Sequence, residues 1–212
     1  RRRPLLRGAW RNRVPARAAA EANRWRGAEH PRKVLLLAGC VQPAMMPNVN
    51  SATARVLDAA AIETLVAAKA GCCGALRTHL NDHEGGLADM RRNIDAWWPS
   101  VSAGEVETIV MNASGCGATV KDYGHALAHD PAYADKAARI VALTKDLSEL
   151  LPEIAEQLKN KLHRGTARKL AFHPPCTLQH GQQLRGGVET HLGALGFDVK
   201  LAYRTSTVVH LN

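Results

Sequence analysis

The hydrophobic pattern along the chain changes period several times, and each change marks an element. Lys33 leads into Val34-Leu35-Leu36-Leu37-Ala38, a continuous apolar run that stops at Gly39-Cys40. A run so short and so sharply bounded predicts a strand buried on both faces, as in a parallel sheet. Pro43 and Pro47 predict a loop behind it. Ser51 then stands as N-cap of a helix reaching about residue 60, with Ala54, Val56 and Leu57 on its inner face. Residues 62–66 form a second β-like stretch, followed by Lys69-Ala70-Gly71-Cys72-Cys73-Gly74. Residues 75–80 read as helix. A longer helix is expected over 84–98, stopped by Pro99, with Leu87, Met90, Ile94 and the Trp97-Trp98 pair at helical spacing. Residues 108–111 are a third strand, ending in Asn112-Ala113-Ser114-Gly115-Cys116-Gly117, and helical patterns follow at about 117–127, 131–141 and 145–160. Leu170-Ala171-Phe172 is a fourth strand, ending in His173-Pro174-Pro175-Cys176. A short helix, then one over about 186–195, precedes a last strand at 197–201.

Strands alternating with helices predict an α/β fold with short, mostly parallel sheets. The stretches 34–40 and 169–176 are each a basic-apolar strand ending in cysteine, followed by helix and strand. The reading is therefore two similar half-domains, 34–165 and 166–212, the second cut short, with cysteine-bearing loops at the strand ends. Residues 1–33 are a basic arm ahead of them.

Composition sharpens this. The chain has 212 residues, 46% hydrophobic and 22% charged, with only 4% aromatic, so the core is aliphatic. Residues 1–33 contain eleven Lys or Arg and two acids, so the arm carries the whole formal net charge of +9. The remainder is neutral and offers no basic excess for nucleic acid. Pro4, Pro15 and Pro31, with Trp10 and Trp25, read as a linker docked on a neighbouring domain rather than a polyanion-binding tail. No apolar run approaches the roughly 18 residues that span a bilayer, and no secretory signal is visible. The chain starts with Arg, which suggests a fragment.

Five cysteines are too sparse for a disulfide scaffold. All follow predicted strands: Cys40, Cys72, Cys73 and Cys116 in the first half and Cys176 in the second. Loops after parallel strands gather at one sheet edge, so the first four should converge. Four convergent thiolates suit a soft metal, either an iron–sulfur cluster or tetrahedral zinc. Adjacent Cys72 and Cys73 diverge and favour a polynuclear cluster over a zinc knuckle. Gly71, Gly74, Gly115 and Gly117 would let backbone approach closely and leave N–H groups for sulfur. Buried structural cysteine is the bland alternative. A vicinal disulfide would strain the intervening peptide, which counts against thiol–disulfide chemistry at Cys72-Cys73.

The pattern Cys40, Cys72-Cys73-Gly74 and Cys116 resembles the cysteine-rich CCG domain found in heterodisulfide reductase, in anaerobic glycerol-3-phosphate dehydrogenase and in lactate-utilisation proteins. Gly39-Cys40-Val41-Gln42-Pro43, Gly71-Cys72-Cys73-Gly74-Ala75-Leu76, the stretch from Met90 to Trp97, and His173-Pro174-Pro175-Cys176-Thr177-Leu178-Gln179-His180 are similar to the glycolate oxidase (glycolate dehydrogenase) iron–sulfur subunit family. The likeness covers about 30–205. It implies a subunit of an oxidoreductase that is not catalytic alone. Its implied cofactor is an iron–sulfur cluster of the 4Fe-4S type on Cys40, Cys72, Cys73 and Cys116. Cys176 is the possible ligand of the second half, and Gly74, Gly115 and His173 lie around the ligands. The implied partner is a flavoprotein subunit that oxidises glycolate and sends electrons toward a membrane acceptor. The implied location is cytoplasmic, at the inner membrane face. The family's ferredoxin-like amino-terminal region and second Cys-Cys-Gly motif are not found in this sequence, and 203–212 does not match the latter. Only one cysteine stands at Ala113-Ser114-Gly115-Cys116, so four thiolates are the limit in the first half. The competing function is a non-catalytic docking module with structural or zinc-bound cysteines.

Other motifs read more plainly. His79 and His83 could share a helical face and meet a metal, but Asn81, Asp82 and Gly85-Gly86 favour a polar loop; Asp82-His83-Glu84 reads as solvated loop. His173 and His180 flank Cys176, with His173 orienting its loop. Met45-Met46 reads as core filler. Tyr123, His125 and His129 carry no assigned role. No glycine-rich nucleotide loop, nucleophile elbow or carboxylate pair is present.

Overall fold

The computed structural model describes residues 28–162 and 169–202, so most of the basic arm, with Trp10 and Trp25, lies outside the described residues. The first part runs β1 (Arg32–Leu36), α1 (Gln42–Met45), α2 (Pro47–Ala59), β2 (Ile62–Leu65), α3 (Ala75–His79), α4 (His83–Ser102), β3 (Thr108–Met111), α5 (Ser114–Lys121), α6 (Tyr123–Ala126), α7 (Ala134–Leu143), β4 (Thr144–Asp146) and α8 (Leu147–Lys159). The second runs β5 (Lys169–Phe172), a π-helical turn (Thr177–Gly181), α9 (Gly187–Ala194) and β6 (Asp198–Leu201).

β1 to β4 form one sheet in the order β2-β1-β3-β4, parallel at every pair, with Val34 opposite Thr108 and Ile109 opposite Thr144. β5 and β6 form a second, two-stranded parallel sheet. The α/β expectation with parallel sheets is met. The continuous apolar runs have a direct cause: both faces of the large sheet are covered. Leu35, Leu37, Ile109 and Met111 pack on one face with Ile94, Trp97, Tyr123 and Ile140. Val34, Leu36 and Val110 pack on the other with Leu57, Leu150, Ile154 and Leu195. Successive strand residues alternate between the two cores, as the two-residue period requires.

Several local expectations fail, each for a physical reason. Pro43 and Pro47 do not keep the chain in a loop; each sits in the first turn of a helix, where a missing N–H costs nothing. Ser51 is therefore not a cap but a buried helix residue donating to the Asn48 carbonyl at 3.1 Å. Val56 is exposed rather than on the inner face of α2. Pro99 does not stop α4, which runs on to Ser102, held to the core by Trp97 and Val101 on either side of the proline. β4 straddles the start of the helix expected over 145–160; three residues are too few to show a period, and Asp146 doubles as the N-cap of α8 in a capping box with Glu149. β1 begins at Arg32, inside the segment read as arm, where its guanidinium meets Glu107 at 2.6 Å and Glu153 at 2.8 Å.

Candidate metal centre

The strand order fixes where a site can form. From β1 the chain steps outward to β2, then returns across β1 to β3. The connections leaving β1 and β3 therefore diverge, and a crevice opens at their carboxyl ends. Cys40 follows β1, Cys72 and Cys73 follow β2, and Cys116 sits in the first turn of α5 behind β3. All four line one cavity of about 870 Å³, together with Val41, Leu76, Thr119 and, from the second part, Thr177 and Gly181. The expected convergence is met.

Within the cavity the thiols form two pairs, Cys40 with Cys72 and Cys73 with Cys116. Cys73 is buried and Cys40 exposed, so the pairs lie at different depths. The neighbours Cys72 and Cys73 thus serve opposite pairs. Immediately after them Gly74 takes a left-handed φ of +95°, and a Cβ there would stand 2.8 Å from the Gly86 carbonyl oxygen. Only glycine fits this entry to α3.

Electrostatics distinguish the deeper pair. The Cys116 thiol, the Ala75 N–H and the Thr119 hydroxyl all stabilise the Cys73 thiolate, bringing Cys73 down to about 6. Cys116 keeps the shared proton and is pushed far up, first by that bond and then by burial. The amino-terminal end of α5 adds its partial positive charge beside Cys116. Burial, then the bond to Cys72, raises Cys40.

A polar frame holds the loops. Asn112 donates to Asn50 Oδ1 at 2.8 Å and Thr53 Oγ1 at 3.0 Å, and accepts from Gln42 Nε2 at 3.1 Å. Asn50 in turn donates to the Ala38 carbonyl at 2.9 Å, tying the exit of β1 to the exit of β3. Buried Asn93 and Tyr123 bond the backbone of residues 71–73. Arg92 also donates to the Cys72 carbonyl at 3.1 Å while pairing with buried Asp89. Sequence reasoning passed over these residues. The legible signal was an amide placed directly after a wholly apolar strand, at Asn112, and another inside an apolar helical face, at Asn93.

The remaining expectations divide. Gly117 has its N–H bonded to the Ala113 carbonyl at 2.9 Å, so it is not free for sulfur. Its lack of a side chain instead admits Gln182, whose Nε2 would lie 2.6 Å from a Cβ there. Nothing lies within 4 Å of a Cβ at Gly115, so no close approach uses that glycine. The Gly71 N–H is taken by Asn93. Cys176 and His173 are exposed and do not line the cavity, although Thr177 next door does. His79 ends α3 and His83 begins α4, so they share no helical face. Asp82, His83 and Glu84 are exposed as expected, but Asp82 is the N-cap of α4, accepting from the Gly85 N–H at 3.0 Å, and His83 and Glu84 open that helix. Met45 and Met46 are exposed rather than core.

The cysteine-rich domain designated CCG matches residues 34–121, a span that holds all four paired thiols. Over 195 residues the chain is 52% identical to the glycolate oxidase iron–sulfur subunit of Escherichia coli, covering 92% of this chain and 47% of that protein. It is 32% identical over 123 residues to the probable glycolate oxidase iron–sulfur subunit of Bacillus subtilis, covering 58% of this chain and 27% of that one. A fumarate reductase (CoM/CoB) subunit of Methanothermobacter marburgensis is 29% identical over 151 residues, 69% of this chain and 26% of that one. The resemblance to the glycolate oxidase iron–sulfur subunit is thereby borne out. The chain spans less than half the length of these curated relatives. No solved structure matches.

The donor set fits a soft, polynuclear group better than a single ion. All four candidate ligands are thiols. They stand as two pairs around a roomy cavity.

Proposed function

We propose that Cys40, Cys72, Cys73 and Cys116 hold an iron–sulfur cluster of the 4Fe-4S type, and that the chain carries electrons in a glycolate-oxidising complex. The observation that carries this reading is the meeting of four thiols, from three separate strand-end loops, in one cavity at the β1/β3 crevice. When bound, such a cluster supplies one-electron storage and transfer. The chain's own groups do the rest. The Ala75 N–H favours the charged form of the Cys73 sulfur, withdrawing charge from it. The Asn50–Asn112–Gln42 frame holds the Cys40 loop against α5. Exposed Cys40 brings the deep site to the surface, where a redox partner can exchange electrons.

In this reading a flavoprotein subunit oxidises glycolate and delivers electrons, which pass on to a membrane acceptor. The arm ahead of β1 serves as a docking linker to that complex, the first half-domain holds the cluster with Gly74 and Gly115 beside the thiolates, and 166–212 form the second half-domain, with Cys176 as its ligand and His173 beside it. Among the described residues no helix is long and apolar enough to cross a membrane, so attachment at the cytoplasmic face would run through the complex. The test is anaerobic purification followed by electron transfer. A brown chain, reduced by glycolate only when a glycolate-oxidising flavoprotein is added, supports the proposal. A colourless chain, or one reduced by glycolate alone, contradicts it.

A further inference from the structure

Asn93 makes more directed bonds to the backbone of residues 71–73 than any other side chain described. Its Oδ1 accepts the Gly71 N–H at 2.9 Å, and its Nδ2 donates to the Cys72 carbonyl at 2.8 Å and to the Tyr123 hydroxyl at 3.1 Å. The Tyr123 hydroxyl in turn donates a hydrogen bond to the Cys73 carbonyl at 2.8 Å. Both side chains are fully buried, Asn93 on α4 and Tyr123 on α6. Three consecutive residues of an otherwise irregular loop therefore have main-chain groups fixed by two side chains rooted in the core. Each of those groups would be costly to leave unpaired once buried.

We propose that Asn93 and Tyr123 are positioning residues that force the adjacent Cys72 and Cys73 to face opposite ways, Cys72 toward Cys40 and Cys73 toward Cys116. Fixing the two carbonyls fixes the peptide plane between the cysteines. That plane decides whether neighbouring Cβ atoms diverge. Cys73 buried and Cys72 half-buried, both lining the cavity with exposed Cys40 and half-buried Cys116, is the arrangement this clamp produces. The idea rests on the proposed cluster site for its purpose but not for its geometry.

The experiment uses the full chain and two substitutions. Asn93→Asp keeps the shape and the acceptor for Gly71 but removes both donors. Tyr123→Phe keeps the ring and removes one hydroxyl. Each metal-free protein is oxidised mildly with diamide, and its disulfides are mapped by mass spectrometry. Wild type should give Cys40–Cys72 and Cys73–Cys116 links. Asn93→Asp should lose this selectivity, and Tyr123→Phe should lose part of it. In iron-loaded protein, a chelator should strip Asn93→Asp about tenfold faster or more, the range for outer partners of metal ligands. Unchanged disulfide maps in both variants would overturn the clamp, even if wild type binds iron. Altered maps with no iron in wild type would support the clamp and remove the cluster.

Discussion

The two parallel sheets begin alike and finish differently. In each, a strand led by a basic residue runs into a loop that carries a cysteine, Cys40 after β1 and Cys176 after β5. β3 is buried at all four positions and β1 at its last three. β5 and β6 alternate between exposed and half-buried positions throughout. Cys40 meets three other thiols, whereas Cys176 is exposed beside the same cavity. A cysteine at a strand end is thus not a site by itself. It becomes one when further parallel strands on both sides deliver their own loops to the same edge, and those strands need helices on both faces to stay there.

The largest expected break in this comparison is at the cysteines. Serine at Cys72, Cys73 or Cys116 should abolish iron binding, and serine at Cys176 should leave the first-half cluster intact. Iron analysis of each anaerobically purified variant checks this. Next comes packing. Ile109→Ala empties a fully buried place in β3 and should cost about 2–5 kcal/mol in denaturant unfolding. Leu170→Ala in β5, only half-buried, should cost about 1 kcal/mol.

Two glycines sharpen the contrast further. Gly74→Ala combines left-handed strain with a collision against the Gly86 carbonyl and should cost about 1–3 kcal/mol. Gly186 has φ +74° but open space around a Cβ, so Gly186→Ala should cost only the backbone term, about 1 kcal/mol. A further contrast is in pH. Cys73 is brought from 9.0 down to about 6 in the folded, metal-free chain, so its contribution is present above 9 and lost as pH falls through 6. Cys116 is raised, so its contribution is full below 9 and lost above it. Stability of the metal-free chain should therefore climb from pH 6 to about 9 and then fall. Cys73→Ser should flatten the climb, as read by denaturation midpoints across pH.

The strands and the thiols were legible because each leaves a local mark. Val34 to Leu37 and Ile109 to Met111 are short, bounded and wholly apolar, and cysteine behind each strand is conspicuous. For the frame around the thiols only the presence of misplaced amides was legible, not what they bond. Asn93 reads as one polar residue in a helix, and only the fold shows it bonded to a loop more than twenty positions earlier. Tyr123 likewise stands fifty positions from the Cys73 carbonyl it bonds. Helix ends were misjudged where proline has two meanings: Pro47 opens α2, and Pro99 is carried within α4 because Trp97 and Val101 are anchored on the sheet.

The central claim is that these four thiols take an iron–sulfur cluster rather than a single ion. The most direct measurement is iron, zinc and inorganic sulfide per chain, after anaerobic production with both metals supplied, in wild type and Cys73→Ser. The account predicts iron and sulfide in equal amount, about four of each for one cluster, and neither in the variant. One zinc per chain without sulfide, or iron and sulfide unchanged in Cys73→Ser, would contradict it.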